Sequence, residues 1–105
     1  MSQSLSRKLE GINRVYVDEP FSWPLEEIPK KAQRHGYRWC HLWTDPGNEE
    51  ALHRLARIIG LKPQWFQNRP GFPHYDIVPA KRLRAIAAGA IEKSLMDWVK
   101  ERGIA

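Results

Sequence analysis

Hydrophobic and polar positions alternate over Ile12 to Asp18, where Val15 and Val17 flank Tyr16. They alternate again over Tyr37 to Trp43, with Tyr37, Trp39, His41 and Trp43 on one side and Arg38, Cys40 and Leu42 on the other. Both stretches predict strands, since β-branched and aromatic residues suit a pleated surface. Tyr75 to Val78 predicts a third short strand and Ala90 to Lys93 an edge strand. A helical spacing replaces the alternation over Leu52, Leu55, Ala56 and Ile59, so a helix is expected there. Asp45 serves as its cap, Pro46 occupies its first turn and Gly60 stops it. Pro79 to Ala88 predicts a second helix with Leu83, Ile86 and Ala87 inward, ended by Gly89. Ser94 and Asp97 resemble a capping box for a last helix running to Arg102. Leu25 to Arg34 allows a short amphipathic turn after the prolines at 20 and 24, and Leu61 to Pro73 reads as a linker.

Strands alternating with helices predict an α/β fold. The expectation is a small single domain over residues 12–105, following a polar tail at 1–11. Its sheet has three to four strands, is at least partly parallel, and is flanked by about three helices. Ligands of parallel sheets gather beyond the carboxyl ends of the strands. If the first three strands run parallel, Asp18, the end of the Trp39 to Trp43 strand and the Asp76 to Arg82 turn share one rim. The 105 residues suit one modest core, and no apolar run approaches the roughly 18 residues that cross a bilayer. Met1 to Gly11 is polar, and the single cysteine, Cys40, excludes an internal disulfide. A soluble cytoplasmic protein, with no membrane partner, is therefore expected.

Charge changes the picture more than length does. The net charge is +5, and between Arg54 and Arg84 seven cations (Arg54, Arg57, Lys62, Arg69, Lys81, Arg82, Arg84) face one acid, Asp76. Such an excess implies an anionic partner, either a phosphorylated small molecule or nucleic acid, although it also suits a merely solvated cationic face. Lys81 and Arg82 stand in the first turn of a predicted helix, where cations oppose the dipole unless an anion sits among them. A phosphate-like or carboxylate group is thus expected at this helix start.

Asp18, His41, His74 and Asp76 are suited to acid and base catalysis, and His74 and Asp76 project to the same side of their strand. The same residue types bind divalent ions, but no standard ligand motif is present and no metal is assigned. Cys40 and His41 are adjacent on a strand, project to opposite faces and so cannot pair as nucleophile and base, which leaves Cys40 as a buried thiol. His53, beside the helical apolar stripe, reads as a packing residue. Trp65 and Gln67, in the aromatic and amide-rich stretch from Pro63 to Pro73, suit the organic part of a nucleotide, and Tyr75 is counted with them as ligand-binding. Aromatics in so small a domain also suit core packing.

The ordered set Tyr16-Val17-Asp18, Trp39-Cys40-His41-Leu42, Trp65-Phe66-Gln67 and Pro73-His74-Tyr75-Asp76, followed by Lys81-Arg82 and Gly89-Ala90, resembles the small bacterial and phage family called domain of unknown function 4031. The resemblance covers roughly residues 14 to 93 and implies no reaction or cofactor. Val78 departs from the family's usual Ser or Thr at the helix cap, which leaves an amide without a side-chain acceptor. The expected function is binding of an anionic, nucleotide-like or phosphorylated ligand. Lys81 and Arg82 hold its phosphate, His74 and Asp76 orient it, and hydrolysis would use Asp76 or Asp18 as base and His74 or His41 as acid. The alternatives are a nucleic-acid-binding or nuclease accessory protein, and a phage-type interaction module that inhibits a host factor.

Overall fold

A computed structural model of the chain describes residues 11–22, 26, 30 and 38–102. After a 3-10 turn at Ile12–Arg14 come β1 (Val15–Val17), β2 (Phe21–Ser22), β3 (Arg38–Thr44) and α1 (Glu49–Ile58). A second 3-10 turn at Pro63–Trp65 leads into β4 (Phe66–Arg69), β5 (Phe72–Ile77), α2 (Pro79–Ala87), β6 (Ile91–Glu92) and α3 (Leu95–Glu101). The amphipathic turn expected within Leu25 to Arg34 lies largely outside the described residues.

The strands form a mixed sheet of six, in the order β4-β5-β3-β1-β6 with β2 also on β3. The α/β class holds, with more strands than the three to four expected. β1 and β6 run parallel, so the sheet is partly parallel as expected, whereas β1, β3 and β5 are successive antiparallel neighbours, so the condition of three parallel first strands is not met. The shared rim arises another way. Asp18 directly follows Val17, which pairs with Leu42, and His41 pairs directly with Asp76. Antiparallel register thus brings Asp18, His41 and Asp76 side by side near the middle of the sheet.

Alternation gives the sheet two unlike faces. Val15, Val17, Cys40, Leu42, Tyr75 and Ile77 form one buried cluster with Ile12 and with Leu52, Leu55, Ala56 and Ile59 of and beyond α1, and with Ala85 of α2. The opposite face carries Tyr16, His41, Trp43, Phe72, His74 and Asp76, as their cross-strand pairing requires. There α3 lays Trp98 against Trp43 and Phe72, at ring separations of 5.9 and 6.3 Å.

Local chemistry explains where the elements begin and end. α1 starts at Glu49, later than the Asp45 cap predicted. Asp45-Pro46-Gly47-Asn48 forms a turn instead, closed by Asn48 N–H donating to Asp45 O at 3.1 Å, with Gly47 at φ 87°. The Asp45 carboxylate accepts from Tyr16 Oη–H and Trp98 Nε1–H, each at 2.9 Å, which ties α3 to β1. The expected linker contains β4, because Pro70-Gly71, with Gly71 at φ 78°, turns the chain straight back into β5. In α2 the inward residue is Ala85, with Ile86 beside it, while Leu83 is 67% exposed and Ala87 also faces outward. That shift of the buried stripe carries Lys81 and Arg82 toward the sheet, one turn before Ala85 and Ile86. Ser94 caps α3 as predicted, its Oγ accepting from Asp97 N–H at 3.3 Å. No described helix is long and apolar enough to cross a membrane.

Candidate functional site

Three strands deliver the polar cluster on the face opposite α1 and α2. Asp18, just past β1 and 9% exposed, accepts from His41 backbone N–H at 2.6 Å through one oxygen and lies 2.8 Å from His41 Nδ1 through the other. This double contact fixes the ring of His41 and turns its Nε2 toward β5. There Asp76 Oδ1 lies 4.0 Å from His41 Nε2 and 3.4 Å from His74 Nε2. His74, 5% exposed, is held from behind by Phe72 O at 2.8 Å from its Nδ1. Gln67 on β4, the cross-strand partner of His74, donates its side-chain amide to the second oxygen of Asp76.

Aromatic rings wall this cluster. His41 lies 5.0 Å from Phe21 and 5.4 Å from Phe72, and Phe72 stacks on His74 at 4.4 Å. Burial pushes the Asp76 carboxyl up, but the hydrogen bond and charge of His74, the Gln67 amide and the charge of His41 outweigh it and hold the group below its ordinary value. Asp76 is therefore an anion at neutral pH. Cys40, on the other face of β3, has its thiol pushed up to about 12, first by burial and then by the charge of Asp18. It stays protonated, near Ile77 O at 3.4 Å, and is no nucleophile.

Of the residues singled out from the sequence, Asp18, His41, His74, Asp76 and Gln67 come together. The others have different partners. Lys81 Nζ donates to Ile59 O at 2.8 Å, at the carbonyl-rich end of α1, which offsets its unfavourable place at the start of α2. Arg82 Nε donates to Asp18 O at 2.8 Å, and its guanidinium pairs with Glu92 at 2.8 Å and Glu19 at 3.3 Å. Arg82 thus anchors the chain beside Asp18, and the carboxylates of this protein supply the negative charge expected from a ligand. Val78 provides no side-chain cap. Tyr75 faces the core, its hydroxyl 2.8 Å from His53 Nδ1, and Trp65 stands before β4 with Lys62 Nζ 5.6 Å from its ring centre. Asp18, expected as a base, has both oxygens engaged with His41, one accepting from its backbone N–H and the other beside its Nδ1.

Sequence reasoning passed over Phe21, Phe72 and Arg69 as site residues. Arg69 pairs with Phe72 across the β4–β5 hairpin, so this exposed cation lies on the face of the cluster. The signal was present in Pro70-Gly71, which fixes the hairpin and thereby the register. A cleft of about 450 Å3 opens beside Asp18, lined by Val17, Glu19, Arg82, Glu92 and Lys93 among others.

A family model described as protein of unknown function (DUF4031) matches residues 15–102. No curated protein and no solved structure matches the chain.

Proposed function

The chain belongs to the DUF4031 family, and for this member we propose binding of a small anionic ligand, phosphorylated or nucleotide-like, over the His41, His74 and Asp76 cluster, followed by its hydrolysis. The observation that carries the reading is the convergence of two imidazole Nε2 atoms on one carboxylate oxygen, with each ring held from behind by an acceptor. Groups so oriented suit a water molecule or a ligand oxygen at their meeting point. Phe21 and Phe72 offer flat apolar surface to an organic ring, and Arg69 offers a bidentate donor to a phosphate. The net charge of +5 favours approach of an anion.

Calorimetric and thermal-shift titrations with nucleotides and simple phosphate esters test this. Wild-type protein is expected to bind and be stabilised. Arg69→Ala is expected to bind roughly tenfold more weakly at unchanged melting temperature, as loss of one charge-assisted contact predicts. His41→Gln is expected to lose turnover while keeping the fold. Absence of any shift, or undiminished binding by Arg69→Ala and Asp76→Asn alike, contradicts the proposal.

A second reading, nucleic-acid binding, draws on a different surface. Trp65 is 41% exposed beside Lys62, and Arg57, Lys62 and Arg84 are exposed cations. Stacking on Trp65 with phosphates on these cations predicts affinity for single strands that falls steeply with salt. Affinity that is flat in salt contradicts it.

A further inference from the structure

The partners of the two Nδ1 atoms in the cluster set which nitrogen of each ring carries a proton when the ring is neutral. A carboxylate has no proton to give, so His41 Nδ1, 2.8 Å from Asp18 Oδ2, carries the hydrogen of that bond. A carbonyl only accepts, so His74 Nδ1, 2.8 Å from Phe72 O, carries one too. In the neutral rings both Nε2 atoms are then bare lone pairs. They face Asp76 Oδ1, a third acceptor, at 4.0 and 3.4 Å. The neighbouring donor, the Gln67 amide, is engaged by the other Asp76 oxygen. With both rings neutral, three acceptors meet in a largely buried position, which a proton on an imidazole Nε2 or a metal ion between them relieves.

We propose that His41 Nε2, His74 Nε2 and Asp76 Oδ1 bind a divalent first-row metal ion, Zn2+ or a close substitute such as Co2+. One donor atom from each of the three residues lies within 4.8 Å of the others. Tetrahedral bonds of about 2.1 Å put ligand atoms roughly 3.4 Å apart, so the pair from β5 already fits and His41 closes the triangle by moving about 1 Å. Two imidazoles with one carboxylate suit a borderline ion rather than Mg2+ or Ca2+, which favour oxygen. The supporting contacts are those such a site needs. Asp18 behind His41 and Phe72 O behind His74 orient the two rings and raise their basicity, and the Gln67 amide orients Asp76. Three protein ligands leave a coordination position for water or an anion oxygen. In this respect the inference deepens the proposed ligand reading and rests on it: an anion placed beside ionised Asp76 needs an intervening positive charge, and the ion supplies it.

The test is titration of chelator-stripped protein with Zn2+ by calorimetry and with Co2+ by visible absorption, each variant being checked for folding by circular dichroism and melting in chelator. The expected result is one equivalent bound with a rise in melting temperature. His41→Gln, His74→Ala and Asp76→Asn should each lose at least about a hundredfold in affinity, and Asp18→Asn and Gln67→Ala roughly ten- to a hundredfold. His53→Ala, on the opposite face, should bind as wild type. If His74→Ala does not fold, the near-isosteric His41→Gln and Asp76→Asn decide. No binding, binding unchanged in the cluster variants, or binding that depends on His53 or His35 overturns the inference. Nucleotide binding that persists in chelator, with no metal uptake, overturns the metal site alone. Metal uptake with no binding of any nucleotide or phosphate ester upholds the site and overturns the ligand reading.

Discussion

The two faces of the sheet are built from alternate residues of the same strands, yet they follow different rules. Toward α1 and α2, Val15, Val17, Cys40, Leu42 and Ile77 are essentially inaccessible and meet other apolar groups. Toward α3, neighbouring positions hold Asp18, His41, His74 and Asp76, which are held by specific hydrogen bonds and bring two imidazole Nε2 atoms up to one carboxylate oxygen. Such paired polar groups gain little net free energy, so this cluster adds less to stability than the apolar one. The contrast separates positions that hold the protein together from the positions proposed to act.

Substitutions sharpen the contrast. The largest effect is expected on the apolar face: Leu42→Ala, at a fully buried site, should cost about 3 kcal/mol and lower the melting temperature by roughly 10 °C or more, measured by thermal unfolding. A Leu42→Ala protein as stable as wild type would remove the distinction between the faces.

Next comes the Asp45 knot that fastens α3. Asp45→Asn weakens the acceptor for Tyr16, Trp98 and Arg14 and should cost about 1–2 kcal/mol. Burial pushes the Asp45 carboxyl up, but the hydrogen bonds from Trp98, Tyr16 and Arg14 outweigh it and hold it below its ordinary value. A folded value below the unfolded one means that this stabilisation is complete above the ordinary carboxylate range, about pH 4, and is lost as pH falls through the lower folded value. The gap between wild type and Asp45→Asn in denaturant titrations should therefore close on acidification, and a gap that widened would contradict the assignment.

A smaller loss, about 1 kcal/mol, is expected for Lys81→Met, which removes the donor to Ile59 O at the end of α1. Ligand and metal binding should be unchanged in that variant. Strong loss of phosphate-ester affinity without loss of stability would return Lys81 to the site. The smallest effect concerns Cys40: with a thiol pushed up to about 12 and no exposure, it should resist iodoacetamide in the native protein and react only on unfolding.

Much of this was legible in the residues, and the failures have physical causes. The alternation through Trp39 to Trp43 assigns the correct faces, because period 2 is fixed by the pleat, and Ser94 with Asp97 marks a helix start because the bond it forms is local. Strand direction was not legible: whether Asp18 meets His41 from a parallel or an antiparallel neighbour depends on long-range pairing. β4 was hidden because Gln67, Asn68 and Arg69 carry little strand propensity and are held by pairing with β5. By local spacing alone Lys81 and Arg82 await a foreign anion. Their partners, Ile59 O, Glu19 and Glu92, come from distant parts of the chain that local spacing does not reveal. The His and Asp residue types were visible, but the convergence of two imidazoles on one carboxylate needed the register of three strands.

The most direct measurement is the melting temperature of Asp76→Asn against wild type, in chelator and then with excess Zn2+. If the polar face serves binding rather than stability, the two proteins melt within a few degrees of each other in chelator and only wild type is raised by the ion. A variant that melts as low as Leu42→Ala in chelator, or that gains as much from Zn2+ as wild type, contradicts the account.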